Sequence, residues 1–412
     1  MHIMMIVPAL PPLPSGGAEL QALRLGAELR EKGADVSFLT PGKRSIRGRT
    51  SLQDMPVYRL YSVFSRAFEF FSDRKKEGKT EPVTIEFDDS KGQFDQIASK
   101  VGLPTVIYYN IFFWQCFLFL WPRRKSFDII HAHTMEWSAI VAARLGHALG
   151  KPVLIKDSTM NGFASLARFP AGDRLQEMIV ARAHFVAMTK AIRENLRTAG
   201  VPGEKISLIP NGIAVDGPMM PAACTDGLPR VLFVGNLYQQ PAKGVDILLK
   251  AWTRVTRQYP AALLQIVGDG DLPAYLDFAK KLGIGDAVRF YGKQSGLPAY
   301  YSDATLFVLP SRREGMSNAL MEAMLHSLPC VATDISGSQD LLESGVNGLL
   351  VPPMDADKLA AAICYLLGHP DEALEMGKKA RTTILQRTDI DVVAEQYLSL
   401  YKRLIISRTA EP

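Results

Sequence analysis

Two acids and one lysine carry the strongest chemical signal in the chain. Glu314 and Glu322 lie in PSRREGMSNALMEAMLHSLP, residues 310–329, which follows an apolar, strand-like run from Ala304 to Leu309. The segment turns helical near Ser317, whose hydroxyl can cap the first free amides. Glu314 therefore stands at the carboxyl end of a strand. Ligands bind at that edge of an open α/β sheet, where free N–H groups and the helix dipole attract anions. At about 1.5 Å of rise per residue the two carboxylates lie roughly 10 Å apart, about the reach of a nucleotide sugar from hexose to ribose. Lys243 sits between a glycine-terminated strand, Arg230–Gly235, and a helix starting near Val245. A cation there, with the helix amides, suits a diphosphate.

Weaker signals come from the other half. Gly16 and Gly17 stand where a Pro/Gly loop enters the first helix, so bare backbone can approach a ligand. By itself such a pair usually makes a turn. No GxGxxG follows the first strand, which argues against a nicotinamide or flavin enzyme. His131 and His133 end the strand-like FDIIHAH. No third ligand stands at a useful spacing for zinc. Most single charged residues are simply solvated surface, so these residues gain meaning from the elements that position them.

Those elements alternate between strand and helix in two series. In the first, His2–Pro8 reads as a strand, a helix with Leu20, Leu23 and Ala27 on one face follows, Gly33 closes it, and Asp35–Thr40 is the next strand. Residues 62–100 read as a charged insertion of loops with one strand, Val83–Phe87. The apolar, aromatic run Val106–Trp121 falls short of the ~18–20 residues needed to cross a bilayer. It reads either as a buried core helix or as an interfacial one, with Trp114 and Trp121 at headgroup level and Arg123, Arg124 and Lys125 toward anionic lipid. KPVLIKD is a strand and loop followed by a helix through Arg182, after which come strand, helix, strand and an Asn211–Gly212 turn. A Pro- and Gly-rich linker, Asp216–Arg230, then separates the series. The second series gives RVLFVG, ALLQIVG, VRFYG, ATLFVL, CVAT and GLLV as strands.

With 412 residues the chain is long for one core. Its net charge of +5 is mild, and no basic tract interleaved with aromatics suggests nucleic acid as a partner. Cys116, Cys224, Cys330 and Cys364 are too scattered for a zinc or redox motif and read as thiols of a reducing compartment. The opening MHIMMIVPAL does not read as a signal peptide. The expected location is the cytoplasm, at the inner face of the plasma membrane if 106–125 is interfacial.

The paired glutamates, the PSRREG before them, the EAM of the helix and SLPCVATDISGSQDLLESGVNGLLVPP after it resemble the retaining glycosyltransferases of family 4. The likeness is specific from Arg230 to Pro353, moderate through Thr40 and from Phe127 to Gly212, and absent from about Ser62 to Lys100. It implies the GT-B fold: α/β, with two Rossmann-like doubly wound domains facing a central cleft. The domains would be an acceptor-side one at 1–212, with a terminal helix near 391–406 packing back on it, and a donor-binding one at 213–390.

By the same resemblance Glu322 takes the ribose hydroxyls and Glu314 those of the donor sugar, while backbone amides of Met316, Ser317 and Asn318 meet sugar or phosphate oxygens. Lys293 pairs through its backbone with the base, Lys243 neutralises the diphosphate, His133 lies against the sugar, and Gly16 and Gly17 line the facing wall. Asn236 stands where the family usually has an arginine, so the phosphate clamp lacks one charge. The implied activity is metal-independent transfer, with retention, of a hexosyl group from a UDP- or GDP-sugar to a glycan or lipid-linked acceptor in bacterial polysaccharide, lipopolysaccharide or glycolipid synthesis. The nucleotide sugar is co-substrate and no cofactor is expected. The alternatives are a non-catalytic carbohydrate-binding scaffold of the same fold and a GT-B sugar-nucleotide epimerase.

Overall fold

Strands covered by helices on both faces read as short unbroken apolar runs, and such runs build the centre of both sheets of this protein. The computed structural model describes residues 1–13, 16–61, 101–158, 162–215, 227–238 and 242–409. The expected insertion, its Val83–Phe87 strand, Cys224 and most of the Pro- and Gly-rich linker lie outside these residues. The chain divides into two compact units, 1–212 with 390–412, and 213–389.

Unit 1 contains β1 (His2–Ile6), α1 (Gly17–Glu31), β2 (Asp35–Pro41), β3 (Gly48–Leu52), β4 (Met55–Leu60), α2 (Leu103–Leu120), β5 (Ile129–Ala132) and α3 (Trp137–Leu149). Then come β6 (Val153–Asp157), α4 (Gly162–Ala167), α5 (Gly172–Arg182), β7 (His184–Ala187), α6 (Lys190–Thr198) and β8 (Ile206–Leu208). Two helices therefore occupy the stretch before Arg182 where the sequence suggests one. Among the described residues the strands form an eight-stranded sheet in the order β3-β4-β2-β1-β5-β6-β7-β8. Only the β3–β4 edge hairpin is antiparallel.

Helix α1 corrects one expected face. Leu20 is 43% exposed, and the buried side is Ala22, Leu23, Leu25 and Leu29. Gln21 is buried because its amide makes two hydrogen bonds with the Gly212 backbone, at 2.9 and 3.1 Å. A contact 191 residues away leaves no mark on local periodicity. Helix α2 corrects another expectation. With the 3-10 turn that follows, it reaches Arg123, 21 residues, long and apolar enough to cross a membrane by length and composition. One flank is nevertheless packed: Phe112, Phe113, Cys116 and Leu120 are buried.

Unit 2 contains β9 (Arg230–Val234), α7 (Val245–Gln258), β10 (Leu263–Val267), α8 (Leu272–Lys281), β11 (Val288–Gly292), α9 (Leu297–Asp303) and β12 (Leu306–Leu309). It continues with α10 (Asn318–Leu325), β13 (Cys330–Thr333), α11 (Ser336–Gln339), β14 (Leu349–Val351), α12 (Ala356–Gly368) and α13 (Pro370–Arg387). Its six-stranded sheet, ordered β11-β10-β9-β12-β13-β14, is parallel throughout. The last helix, α14 (Ile390–Thr409), belongs to unit 1. Its Val393, Ala394, Tyr397, Leu400 and Tyr401 join the core formed by β1, β2 and α1.

Candidate functional site

In a doubly wound sheet the strand order reverses at one point, and the loops leaving the two strands there run to opposite faces and open a crevice. In unit 2 that point lies between β9 and β12, which pair in parallel through Leu306–Val231 and Phe307–Leu232. The loop after β9 ends in Lys243 and the loop after β12 carries Glu314. The structure joins them: Lys243 Nζ lies 2.6 Å from Glu314 Oε2, with side chains 15% and 17% exposed. Ser311 Oγ donates to the same carboxylate oxygen at 3.3 Å.

The loops are held by contacts that never reach the crevice. Arg312 grips Asp246 through a fork of two hydrogen bonds, 2.7 and 2.6 Å, with both side chains largely buried. Its backbone N–H donates to the Ala242 carbonyl at 2.7 Å. Asp246 lies in the first turn of α7, where a negative charge also suits the helix dipole. Thr333 Oγ1 donates to the Ser311 carbonyl at 2.5 Å. Two glycines are required by close approach. At Gly244, which has a φ of +64°, a Cβ would sit 2.0 Å from the Pro310 carbonyl oxygen; at Gly337 it would sit 1.4 Å from that of Gly315.

Beyond Glu314 the chain enters α10. Ser317 caps it, accepting from the Leu320 N–H at 3.4 Å, and Met316 and Ser317 are buried while Asn318, the first helical residue, is half-buried. Glu322, in the second turn, accepts a hydrogen bond from Tyr301 Oη at 3.1 Å. Tyr301 is buried in α9 and stacks on His326, ring centroids 5.2 Å apart. Burial holds the His326 pKa below its usual value. Lys293 is exposed just past β11. Asn236 is exposed too, and its Oδ1 accepts from the Tyr238 N–H at 2.9 Å, closing a local turn. Its side chain thus stabilises the loop after β9 without supplying charge.

Unit 1 reverses between β1 and β5. Gly16 and Gly17 begin α1 after β1, and the Gly16 N–H donates to Glu19 Oε2 at 2.9 Å. His131 and His133 belong to β5 and the turn after it. Unlike the charged pair of unit 2, both are buried, and their rings lie 4.0 Å apart. His131 Nδ1 is 2.7 Å from Tyr401 Oη of α14, while neither ring nitrogen of His133 has a hydrogen-bond partner. Next to them on β6, buried Lys156 donates to Asn211 Oδ1 at 2.7 Å. Burial lowers the Lys156 pKa to about 7. Burial, aided by that lysine, holds both imidazoles well below their usual pKa. The histidines are therefore neutral, able to donate and accept hydrogen bonds. Asn211 and Gly212, which read as a turn, are a buried anchoring point tied by Lys156 and Gln21.

Three contributors carry no local signal: Asp246, which pairs with Arg312 of PSRREG across 66 residues, and Tyr301 and Lys156, which lie in ordinary-looking helix and strand. Among the described residues no group of three or more His, Cys, Asp or Glu is placed to hold a metal ion. A cavity of about 280 Å³ in unit 1, lined in part by Asp157, Phe163, Asn195 and Thr198, adds a separate concavity beside α6.

The family model described as Glycosyltransferase Family 4 matches residues 15–216, and that described as Glycosyl transferases group 1 matches 228–369. A glycosyltransferase of Haemophilus influenzae is 35% identical over 153 residues, 37% of this chain but only 43% of that protein's length. The phosphatidyl-myo-inositol mannosyltransferase of Mycobacterium tuberculosis is 30% identical over 293 residues, 68% of this chain and 75% of that one. Among solved structures, Anabaena HepE in complex with UDP superposes with a TM-score of 0.73 at 19% identity, covering 98% of this chain and 100% of that one. Two doubly wound parallel sheets in succession, two consecutive family matches and a 30% identical relative lead to one assignment: the chain belongs to glycosyltransferase family 4 and has the GT-B fold.

Proposed function

We propose that the protein transfers a hexosyl group from a nucleoside diphosphate sugar to an acceptor hydroxyl, with retention of configuration and without a metal ion. The observation that carries this reading is the Lys243–Glu314 contact at the unit 2 switch point. A lysine charge already held by one anion is ready to exchange it for another. On donor entry the diphosphate replaces Glu314 as the partner of Lys243, and the freed carboxylate accepts from sugar hydroxyls. Amides at the start of α10 meet sugar or phosphate oxygens. Glu322, steadied by Tyr301, takes the ribose hydroxyls, and the backbone at Lys293 takes the base. His133, neutral and with both ring nitrogens unpartnered, suits a sugar hydroxyl.

In the transfer, the bond from the anomeric carbon to the phosphate oxygen breaks and one to the acceptor oxygen forms on the same face. The acceptor proton passes to the departing phosphate oxygen. Lys243 and the helix amides stabilise the charge that develops there, so positioning and electrostatics supply the catalysis. The mycobacterial relative, a phosphatidyl-myo-inositol mannosyltransferase, supports a lipid acceptor, and HepE in complex with UDP as a structural neighbour supports a uridine donor.

The test is a thermal-shift screen of UDP- and GDP-sugars, since a ligand that binds the native state raises the melting temperature by mass action. It is followed by nucleotide release with membrane extract as acceptor source and by NMR assignment of the product anomer. A stabilising donor, release abolished by Lys243→Ala and a retained anomer support the reading; an inverted anomer ends it. Asn236 favours a second reading, a carbohydrate-binding scaffold, because its side chain is committed to a turn and brings no cation. A scaffold would release no nucleotide above the Lys243→Ala background.

A further inference from the structure

The flank of α2 that faces away from the core is a largely apolar stripe, interrupted by exposed Asn110. Leu103, Ile107, Trp114, Leu118 and Trp121 are 69, 50, 55, 69 and 45% exposed. At about 100° per residue these five positions fall within an arc of about 60°, and the buried Phe112, Phe113, Cys116 and Leu120 point the other way. Rings order the stripe: Phe117 lies 5.7 Å from Trp114 and 5.2 Å from Trp121. Isolated exposed apolar residues need no explanation, but a contiguous, polar-rimmed row marks an interaction surface.

The rim is basic. Residues 101–127 contain no acid, and Arg123, Arg124 and Lys125 stand exposed at the end of the stripe. A second set of cations reaches the same end from the β3–β4 hairpin and the turn that precedes it. Lys43, Arg44, Arg47 and Arg49 are exposed in a stretch, 42–52, that also lacks acids. Aromatic rings join the two sets: the Arg49 guanidinium lies 6.0 Å above Tyr58, Tyr58 is 4.8 Å from Phe119, and Arg123 lies 4.3 Å above Phe119.

We propose that this face of unit 1 docks on an anionic lipid bilayer, with α2 lying in the plane of the interface. A spanning orientation conflicts with the packed flank, where Tyr109 stacks on Trp137 at 4.9 Å and Phe112 meets the same ring edge-on at 5.3 Å. Lipid cannot surround a helix held in that way. The tryptophans sit at headgroup depth, the leucines reach the acyl boundary, and seven arginines and lysines meet phosphate. A second copy of this chain would bring the same cations and no acids to the contact. The inference goes beyond the transfer reading, to which it adds a surface carrying the acceptor.

The test uses the full chain without donor, sedimented with vesicles of phosphatidylcholine alone and of phosphatidylcholine mixed with phosphatidylglycerol. The anionic vesicles should bind it in a salt-sensitive way, and each reversed or removed cation should weaken binding about fivefold. Trp114→Asp with Leu118→Asp should abolish binding while the circular dichroism spectrum stays unchanged. Should that pair disturb folding, quenching of wild-type tryptophan fluorescence by brominated lipid gives the same answer without a variant. Equal binding to both vesicle types, an unaffected double variant or unquenched tryptophans would overturn the proposal. So would a wild-type dimer in solution that the double variant converts to monomer. Thermal shift with donor on the same preparation shows whether the transfer reading stands independently.

Discussion

The two sheet reversals give the same motif opposite electrostatic treatment. In unit 2 the crevice groups Lys243 and Glu314 form a partly open ion pair, while the pair that braces their loops, Arg312 and Asp246, is the more deeply buried. In unit 1 the corresponding residues, His131, His133 and Lys156, are buried, and burial drives all three toward their neutral forms. The lesson is a division of labour. On the proposed reading, a site that binds a dianion keeps its charges near water and places its rigidity one layer below. A site that needs only hydrogen bonds can hide its titratable groups and keep them uncharged.

The sharpest way to break this contrast is to remove the brace. Arg312→Leu leaves Asp246 charged without its partner, and losing one member of a buried pair costs about 3–5 kcal/mol. Chemical denaturation should show that loss, and an unchanged midpoint would mean that the loops are held elsewhere. The next effect lies in the crevice. Glu314→Gln keeps the shape, frees Lys243 of its anion and should lower nucleotide release by about 10²-fold if the carboxylate orients the sugar, in line with loss of one preorganised polar contact.

Lys156 sharpens the other side. Its pKa of about 7 in the fold lies below the ordinary 10.5, so between those values the unfolded chain binds a proton that the native chain does not. Stability should therefore rise with pH across that window, by at most about 1.4 kcal/mol per pH unit, and flatten below it. Lys156→Met should remove the slope; a slope that survives would assign it to other groups. The smallest effect is expected at Asn236. Asn236→Ala deletes an exposed turn contact, and surface changes of that kind stay within about 0.5 kcal/mol, less than about threefold in release rate. A larger loss would show that the amide touches the donor.

Much of the fold is legible in the sequence because burial on both faces turns each parallel strand into an apolar run. All six strands of unit 2 can be read in this way, as can the helix start at Val245 and the Ser317 cap. The β3–β4 hairpin is less visible, since it lies at the sheet edge and β3 is mostly exposed and polar. In the site, motif and position identify Lys243 and Glu314, which come together across 71 residues. The residues that hold others in place are silent, because a brace such as Arg312–Asp246 or His131–Tyr401 is defined by a partner far away in sequence. Leu20 fails for a different reason: Ala22, Leu25, Gly26 and Leu29 form the buried i, i+3, i+4, i+7 face of α1, and Leu20 lies outside it.

The return of α14 to the first unit makes the second an insertion. The polypeptide leaves after Gly212 and comes back at Ile390, and the two crossings run side by side, with Gly212 against Ile390 and Ile213 bridged to Asp389. A gene fragment ending at 212 would encode a sheet stripped of Tyr397 and Tyr401, with His131 uncovered, whereas 213–389 is a single uninterrupted piece. Engineers wishing to exchange the second unit would therefore transplant one continuous cassette, and those wishing to isolate the other half must join 212 to 390.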